Sequence, residues 1–209
     1  LAALLGCAVT TGLGVCTNDL NIKIGQSLAV MGCGGVGLNV LQGAMLAGAY
    51  PIIGIDINEE KLRLATVFGA THTINGSGMD SQDIIAEIRK TVGNSGVDAF
   101  ADTTGKPELI ELAWSATASA GKLCLVGQMH HEQQLLLQTL PMHGGKTISG
   151  SDGGQTNPTT DIPRYLKLFK AGRLNLAGLI THRTNIHGIN GVLMDIRAGK
   201  VGRAIIELT

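Results

Sequence analysis

The stretch Gly32-Cys33-Gly34-Gly35-Val36-Gly37 spells G-x-G-x-x-G, and Asp56 follows Gly37 by nineteen residues. Glycines at this spacing suit a turn tight and bare enough for a pyrophosphate to lie against the main chain. Gly32 serves the turn. Gly34, with Gly35 in the same bare stretch, lets phosphates approach the backbone. Gly37 lets a helix pack closely on the strand before it. The helix N-terminus offers unpaired N–H groups and partial positive charge to the phosphates. A carboxylate at the end of the next strand, where Asp56 falls, accepts both hydroxyls of an adenosine ribose, so the pattern points to NAD. The alternative is a set of ordinary turns with a strand-end Asp, and the joint pattern argues against it. A P-loop is excluded because no Lys-Ser/Thr follows the glycines.

Cys7, in "GCAVTTG", is the other residue of chemical interest. Taken alone it reads as a small buried hydrophobe. A zinc ion takes three or four protein ligands, and no nearby His or Cys supplies them. Cys33 reads as a packing residue inside the glycine turn. His130 and His131 would point apart in a strand or helix, so they belong to a polar loop after the fifth strand rather than to a metal pair. His182 and His187 read as surface histidines and Trp114 as core. No Ser-His-Asp arrangement or paired-carboxylate site stands out.

The elements that must position these residues alternate in type. The runs "SLAVM" (27–31), "PIIGI" (51–55), "VDAFA" (97–101) and "KLCLV" (122–126) are nearly continuous apolar segments, as strands buried on both faces of a parallel sheet require. Helical patterns lie between them at 36–48, 58–69, 81–93 and 105–121. Asn58 with Glu59 and Glu60 makes a helix start. Ile84, Ile85 and Ile88 share one helix face. The rhythm predicts an α/β Rossmann-type doubly wound parallel sheet. After residue 154 it changes: a helix over 161–172, the segment 176–183, a helix over 189–199 and a final strand over 203–208.

Composition narrows the partners. Sixteen Lys plus Arg balance sixteen Asp plus Glu, so no basic surplus points to a nucleic acid or a membrane surface. Hydrophobic residues at 44% against 15% charged can fill a core. No apolar run is long enough to span a bilayer. The four cysteines are widely spaced with no C-x-x-C, which suits a reducing, cytoplasmic setting. "LLGC" looks like a lipoprotein cleavage box, but no basic residue precedes it and the first Lys is Lys23.

Longer stretches of the chain carry a specific resemblance. The segments "GCAVTTGLG", "GQSLAVMGCGGVGLNVLQGAMLAGA" and "IIGIDINEEKLRLATVFGATHTIN" resemble the zinc-dependent medium-chain alcohol dehydrogenases. The likeness runs on through "VDAFADTTG", "GKLCLVG", "GSDGG", "LITHR" and "GRAIIEL". It spans the whole chain but only the later part of that family's sequence. The barrel-like domain that carries the family's other zinc ligands and proton relay has no counterpart in these residues. The resemblance implies that Cys7 is a catalytic zinc ligand in a full-length enzyme. It implies that Thr11 lines the nicotinamide and that Val36 packs behind its ring. Lys61 would lie near the adenosine ribose, with Asp56 as the ribose carboxylate. Thr103 and Thr104 would edge the cofactor. Val126, Gly127 and the backbone at Ser151 would approach the carboxamide, and Arg203 would meet the pyrophosphate. Asp152 is acidic where that loop is expected to be neutral, so the loop carries over and its side chain does not.

The resulting expectation is the NAD-binding portion of a zinc-type alcohol dehydrogenase acting on an alcohol/aldehyde pair, with zinc only in a full-length enzyme. Residues 1–8 would be a remnant of a second, catalytic domain, 9–154 the NAD-binding domain, and 155–209 a segment returning toward the catalytic domain. The alternatives are a free-standing NAD-binding module and a zinc-free quinone or enoyl reductase. Asp56 and Cys7 argue against the latter. The resemblance also implies a homodimer joined at the sheet edge near 146–150, which reads as an exposed apolar edge.

Overall fold

The computed structural model describes residues 2–198 and 201–208. Six strands form one parallel sheet: β1 Leu28–Met31, β2 Ile52–Asp56, β3 His72–Asn75, β4 Val97–Asp102, β5 Thr117–Leu125 and β6 Thr147–Gly150. Their order is β3-β2-β1-β4-β5-β6. This is the doubly wound α/β arrangement that the alternation of elements predicts.

The physical basis is the pleat. Leu28 and Val30 of β1 enter one apolar cluster, while Ala29 and Met31 enter another on the opposite face. Both faces of the central strands are thus buried, and every residue of β1 can be apolar. Helices cover both sides. Helices α1 (Ala8–Gly14) and α2 (Gly35–Ala47) pack with the first cluster, and α4 (Ser81–Val92) and α5 (Pro107–Ala116) with the second. Helix α3 (Glu59–Val67) starts where the Asn58 side chain accepts N–H bonds from Glu60 and Lys61.

The last third of the chain returns to the first cluster. Helix α6 spans Pro158–Lys170, and Tyr165, Leu174, Leu176 and Leu179 are buried in the same core as α1 and α2. The buried Gln42 side chain of α2 fastens this segment. Its Oε1 accepts from the Asn175 N–H at 2.5 Å, and its Nε2 donates to the Asn175 carbonyl at 3.4 Å. Strands β7 (His182–Thr184) and β8 (Ala204–Ile206) then form a separate parallel pair, with α7 (Ile189–Arg197) between them. Gly199, expected at the end of that helix, lies outside the described residues, as do Leu1 and Thr209 at the limits of the expected segments.

Three expectations are corrected. The helix read over 105–121 ends at Ala116, and Thr117 already has extended φ/ψ values. Val97 pairs with Thr117 and Ala99 with Lys122, so residues 118–121 bulge opposite Asp98. Small residues such as Ala and Ser read as helix formers, but pairing with β4 overrides that preference. Second, His72–Asn75 forms a strand that no apolar run announces, because on this outer strand only Ile74 is buried. Third, the edge at β6 is not itself apolar. Ile148 is its one large apolar side chain and is half-buried, while the exposed Leu136 and Leu140 precede the strand in sequence.

Phe100 is fully buried in β4, between two helix-covered strands. Phe100→Ala is expected to cost about 3–5 kcal/mol, read as a lower urea midpoint with an unchanged slope.

Candidate functional site

The sheet order reverses direction between β1 and β4, and the carboxyl ends of the strands at such a switch point frame a ligand crevice. The predicted site residues fall on that edge. Gly32 and its turn follow β1, Asp56 ends β2, Thr103 and Thr104 follow β4, Val126 and Gly127 follow β5, and Ser151 follows β6.

The turn is fixed by sterics and by two side chains, those of Thr103 and Asp56. Gly32 has φ +91°, and a Cβ there would sit 2.5 Å from Thr103 Oγ1. A Cβ on Gly37 would collide with the Gly32 carbonyl oxygen. The Thr103 hydroxyl bonds to the Met31 and Gly32 carbonyls at 2.9 and 3.0 Å. Thr103 therefore shapes the turn rather than presenting its hydroxyl to a ligand. Asp56 braces the other side: Oδ2 accepts the Cys33 N–H at 2.8 Å and Oδ1 the Asn58 N–H at 3.0 Å. Cys33 is buried, and burial together with the nearby Asp56 charge pushes its thiol up to about 12. It is a neutral packing group at physiological pH.

Helix α2 begins at the turn with no side chain capping Gly34. Its first N–H groups thus face the crevice, with the positive end of the helix dipole. Arg203 comes to the same place from the far end of the sequence. A Cβ on Gly35 would lie 3.9 Å from Arg203 Nη1. Thr181 holds that approach, its hydroxyl oxygen accepting the Gly202 and Arg203 N–H groups at 3.0 Å each.

On the β2 side a cavity of about 500 Å³ opens, with Asp56 and Lys61 on its wall. Lys106 and Thr104 line it too. Sequence reasoning does not single out Lys106, although it directly follows the Asp-Thr-Thr-Gly turn. Nor does it single out Asp102. That residue is fully buried, and its carboxylate accepts from the Thr104 hydroxyl at 2.6 Å and the Gly105 N–H at 2.9 Å. Burial pushes its carboxyl above the usual range, and these hydrogen bonds pull it back. An Asp closing an apolar run before Thr-Thr-Gly is the available signal for such a turn.

On the β4–β6 side, the Val126 and Gly127 N–H groups bond to the Asp102 carbonyl at 2.8 and 2.9 Å. Val36 is half-buried against the core. Thr11 is buried in α1 and Cys7 stands exposed at its N-cap. His130 and His131 lie in an exposed loop after β5, as the sequence suggests, with ring centroids 4.6 Å apart. Among the described residues, no group of three or more His, Cys, Asp or Glu could hold a metal ion. A zinc shell takes three or four protein donors, so Cys7 with its neighbours here does not build one.

A family model described as zinc-binding dehydrogenase matches residues 35–171, from the start of α2 to just past α6. The chain belongs to the zinc-binding dehydrogenase family. It is 36% identical over 206 residues to alcohol dehydrogenase-like 5 of Arabidopsis thaliana, covering 98% of this chain and 53% of that protein. It is 32% identical over 207 residues to the S-(hydroxymethyl)glutathione dehydrogenase of Paracoccus denitrificans, covering 97% and 55%. The crystal structure of benzyl alcohol dehydrogenase from Acinetobacter calcoaceticus superposes with a TM-score of 0.91 at 32% identity, over 98% of this chain and 56% of that one. The chain spans about half the length of the curated relatives it matches. Among the described residues, no helix is long and apolar enough to cross a membrane.

The glycine geometry separates two roles that the motif merges. Gly37→Ala is expected to destabilise this chain by about 1–3 kcal/mol, because backbone must move. Gly34→Ala meets open space and has φ −78°, so it should shift stability by no more than about 0.5 kcal/mol. Urea unfolding of the two variants checks both.

Proposed function

We propose that this chain is the NAD-binding portion of a zinc-type alcohol dehydrogenase that transfers hydride between an alcohol/aldehyde pair and NAD. The carrying observation is Asp56, whose carboxylate braces the glycine turn and lines the cavity beside it. The residues present fit the dinucleotide. The bare Gly34 and the uncapped start of α2 suit a pyrophosphate, with Arg203 beside them to balance its charge. Asp56 retains lone pairs for ribose hydroxyls, and Lys61 lies in the same cavity. Val126, Gly127 and Ser151, with Thr11 and Val36, would hold the nicotinamide end. When bound, NAD supplies a hydride acceptor at the nicotinamide ring. The protein's part is to orient that ring and exclude water from it.

Zinc enters only in a longer protein, with Cys7 as one ligand among donors that these residues do not provide. In such a longer protein the substrate alcohol would be selected largely by residues outside this chain.

Cofactor choice follows from charge. A 2′-phosphate about 4 Å from the Asp56 carboxylate would be repelled by about 4 kcal/mol at an effective dielectric near 20. Lys61 and Lys106 in the cavity offset part of this. NADH is expected to bind roughly tenfold or more tightly than NADPH, by calorimetric titration. Equal dissociation constants would overturn the assignment of Asp56.

The cysteine makes a separate test. In a longer protein that carries zinc, Cys7→Ala should lower bound zinc by elemental analysis while the dissociation constant for NADH stays within about twofold, because Cys7 stands apart from the Asp56 cavity. Unchanged zinc content would remove Cys7 from the metal site.

A further inference from the structure

The proposed dinucleotide has two ends, and the cavity beside Asp56, which Asp56 and Lys61 line and Val126, Gly127 and Ser151 do not, suits the adenosine end. The other end must cross the switch point and lie over the carboxyl ends of β4, β5 and β6. The farthest of these ends is Ser151. Its N–H donates to the Leu125 carbonyl at 2.8 Å, which continues the β5–β6 ladder by one bond.

The Ser151 hydroxyl is held from both sides. It donates to Asp19 Oδ2 at 2.5 Å and accepts from the Gly154 N–H at 2.9 Å. Asn18, next to Asp19, donates to the Gly154 carbonyl at 2.9 Å and the Gln155 carbonyl at 3.2 Å. Thr156 donates to the Thr10 carbonyl at 3.0 Å. Segment 10–19 thus grips the loop 151–156 through side chains at both of its ends.

The grip depends on a local irregularity. Val15–Asp19 winds as a π-helical turn, closed by the Leu20 N–H on the Val15 carbonyl at 2.8 Å. The wider turn rotates the side chains that follow relative to a continued α-helix, and Asn18 and Asp19 both meet the loop. Beside the pair lies the buried Cys124. Burial, followed by the Asp19 charge, pushes its thiol up to about 12. The thiol therefore remains protonated and adds no charge beside Asp19.

We propose that Asp19 is a positioning residue for the nicotinamide end of the dinucleotide: through the Ser151 hydroxyl it fixes the 151–155 loop that this end rests on, with no part in holding the adenosine end. The proposal rests on the dinucleotide reading above. It concerns a hydrogen bond of this chain's own residues and needs no zinc.

The test compares NADH with ADP-ribose, the same ligand without its nicotinamide, by calorimetric titration of the 209-residue chain. The wild type should bind NADH more tightly than ADP-ribose. Asp19→Ala should weaken NADH roughly tenfold, as expected for loss of a hydrogen bond to a charged group, and leave ADP-ribose within about twofold. Ser151→Ala should follow the same pattern. Asp19→Asn retains an acceptor oxygen and should restore most of the NADH affinity. Equal losses for both ligands in Asp19→Ala would make Asp19 an element of the fold and overturn the proposal, as would unchanged NADH affinity. Wild-type binding of the two ligands with equal affinity would also overturn it, while the dinucleotide reading stood. Binding of neither ligand by the wild type would overturn the dinucleotide reading itself.

Discussion

Any side chain at residue 37 would collide with the Gly32 carbonyl, and this exclusion sets how closely α2 can lie on β1. Much else follows from that approach. It aims the first N–H groups of α2 at the end of the sheet rather than past it. It leaves the turn so short that Cys33 must place its N–H on Asp56, which ties β2 to β1 at the crevice. Thr103 completes the frame from β4. Three strands therefore meet at one peptide turn, and each holds it by a different group: a carbonyl contact, a carboxylate and a hydroxyl.

The frame and much of the site were legible in the sequence because they rest on local patterns. Continuous apolar runs give strands buried on two faces, and the glycine spacing gives the turn. Asp56 was legible because its position is counted from that turn. What was not legible depends on pairing in space. The strand at 72–75 buries a single side chain, so no apolar run marks it. The extension of β5 back to Thr117 runs against the helical preference of its own residues. Asp102 and Lys106 sit in a motif that drew attention to the threonines between them. Arg203 could be placed only through a resemblance, since nothing within 160 residues of sequence ties it to Gly35.

The two sides of the crevice are built differently. The Asp56 side is made of backbone turns and one carboxylate, with a cavity already open. The β6 side is fastened by side chains from a segment more than 130 residues away, with Asp19 and Asn18 reaching the loop. The first side is thus largely fixed once β1 and β2 pair. The second is complete only when the N-terminal helix has docked on α2 and the loop has closed over it.

The pair β7–β8 has three residues in each strand, joined by a single ladder. A two-stranded sheet of that size has little stability of its own. Yet Arg203, the residue just before β8, brings its guanidinium to the start of α2. An anion held there restrains the guanidinium, and with it the strand that carries it. Occupancy and local order are then linked quantities: whatever free energy an anion gains from Arg203, the same free energy resists fraying of the C-terminal pair. The far end of the chain is in this sense a latch whose spring is set by what lies in the crevice.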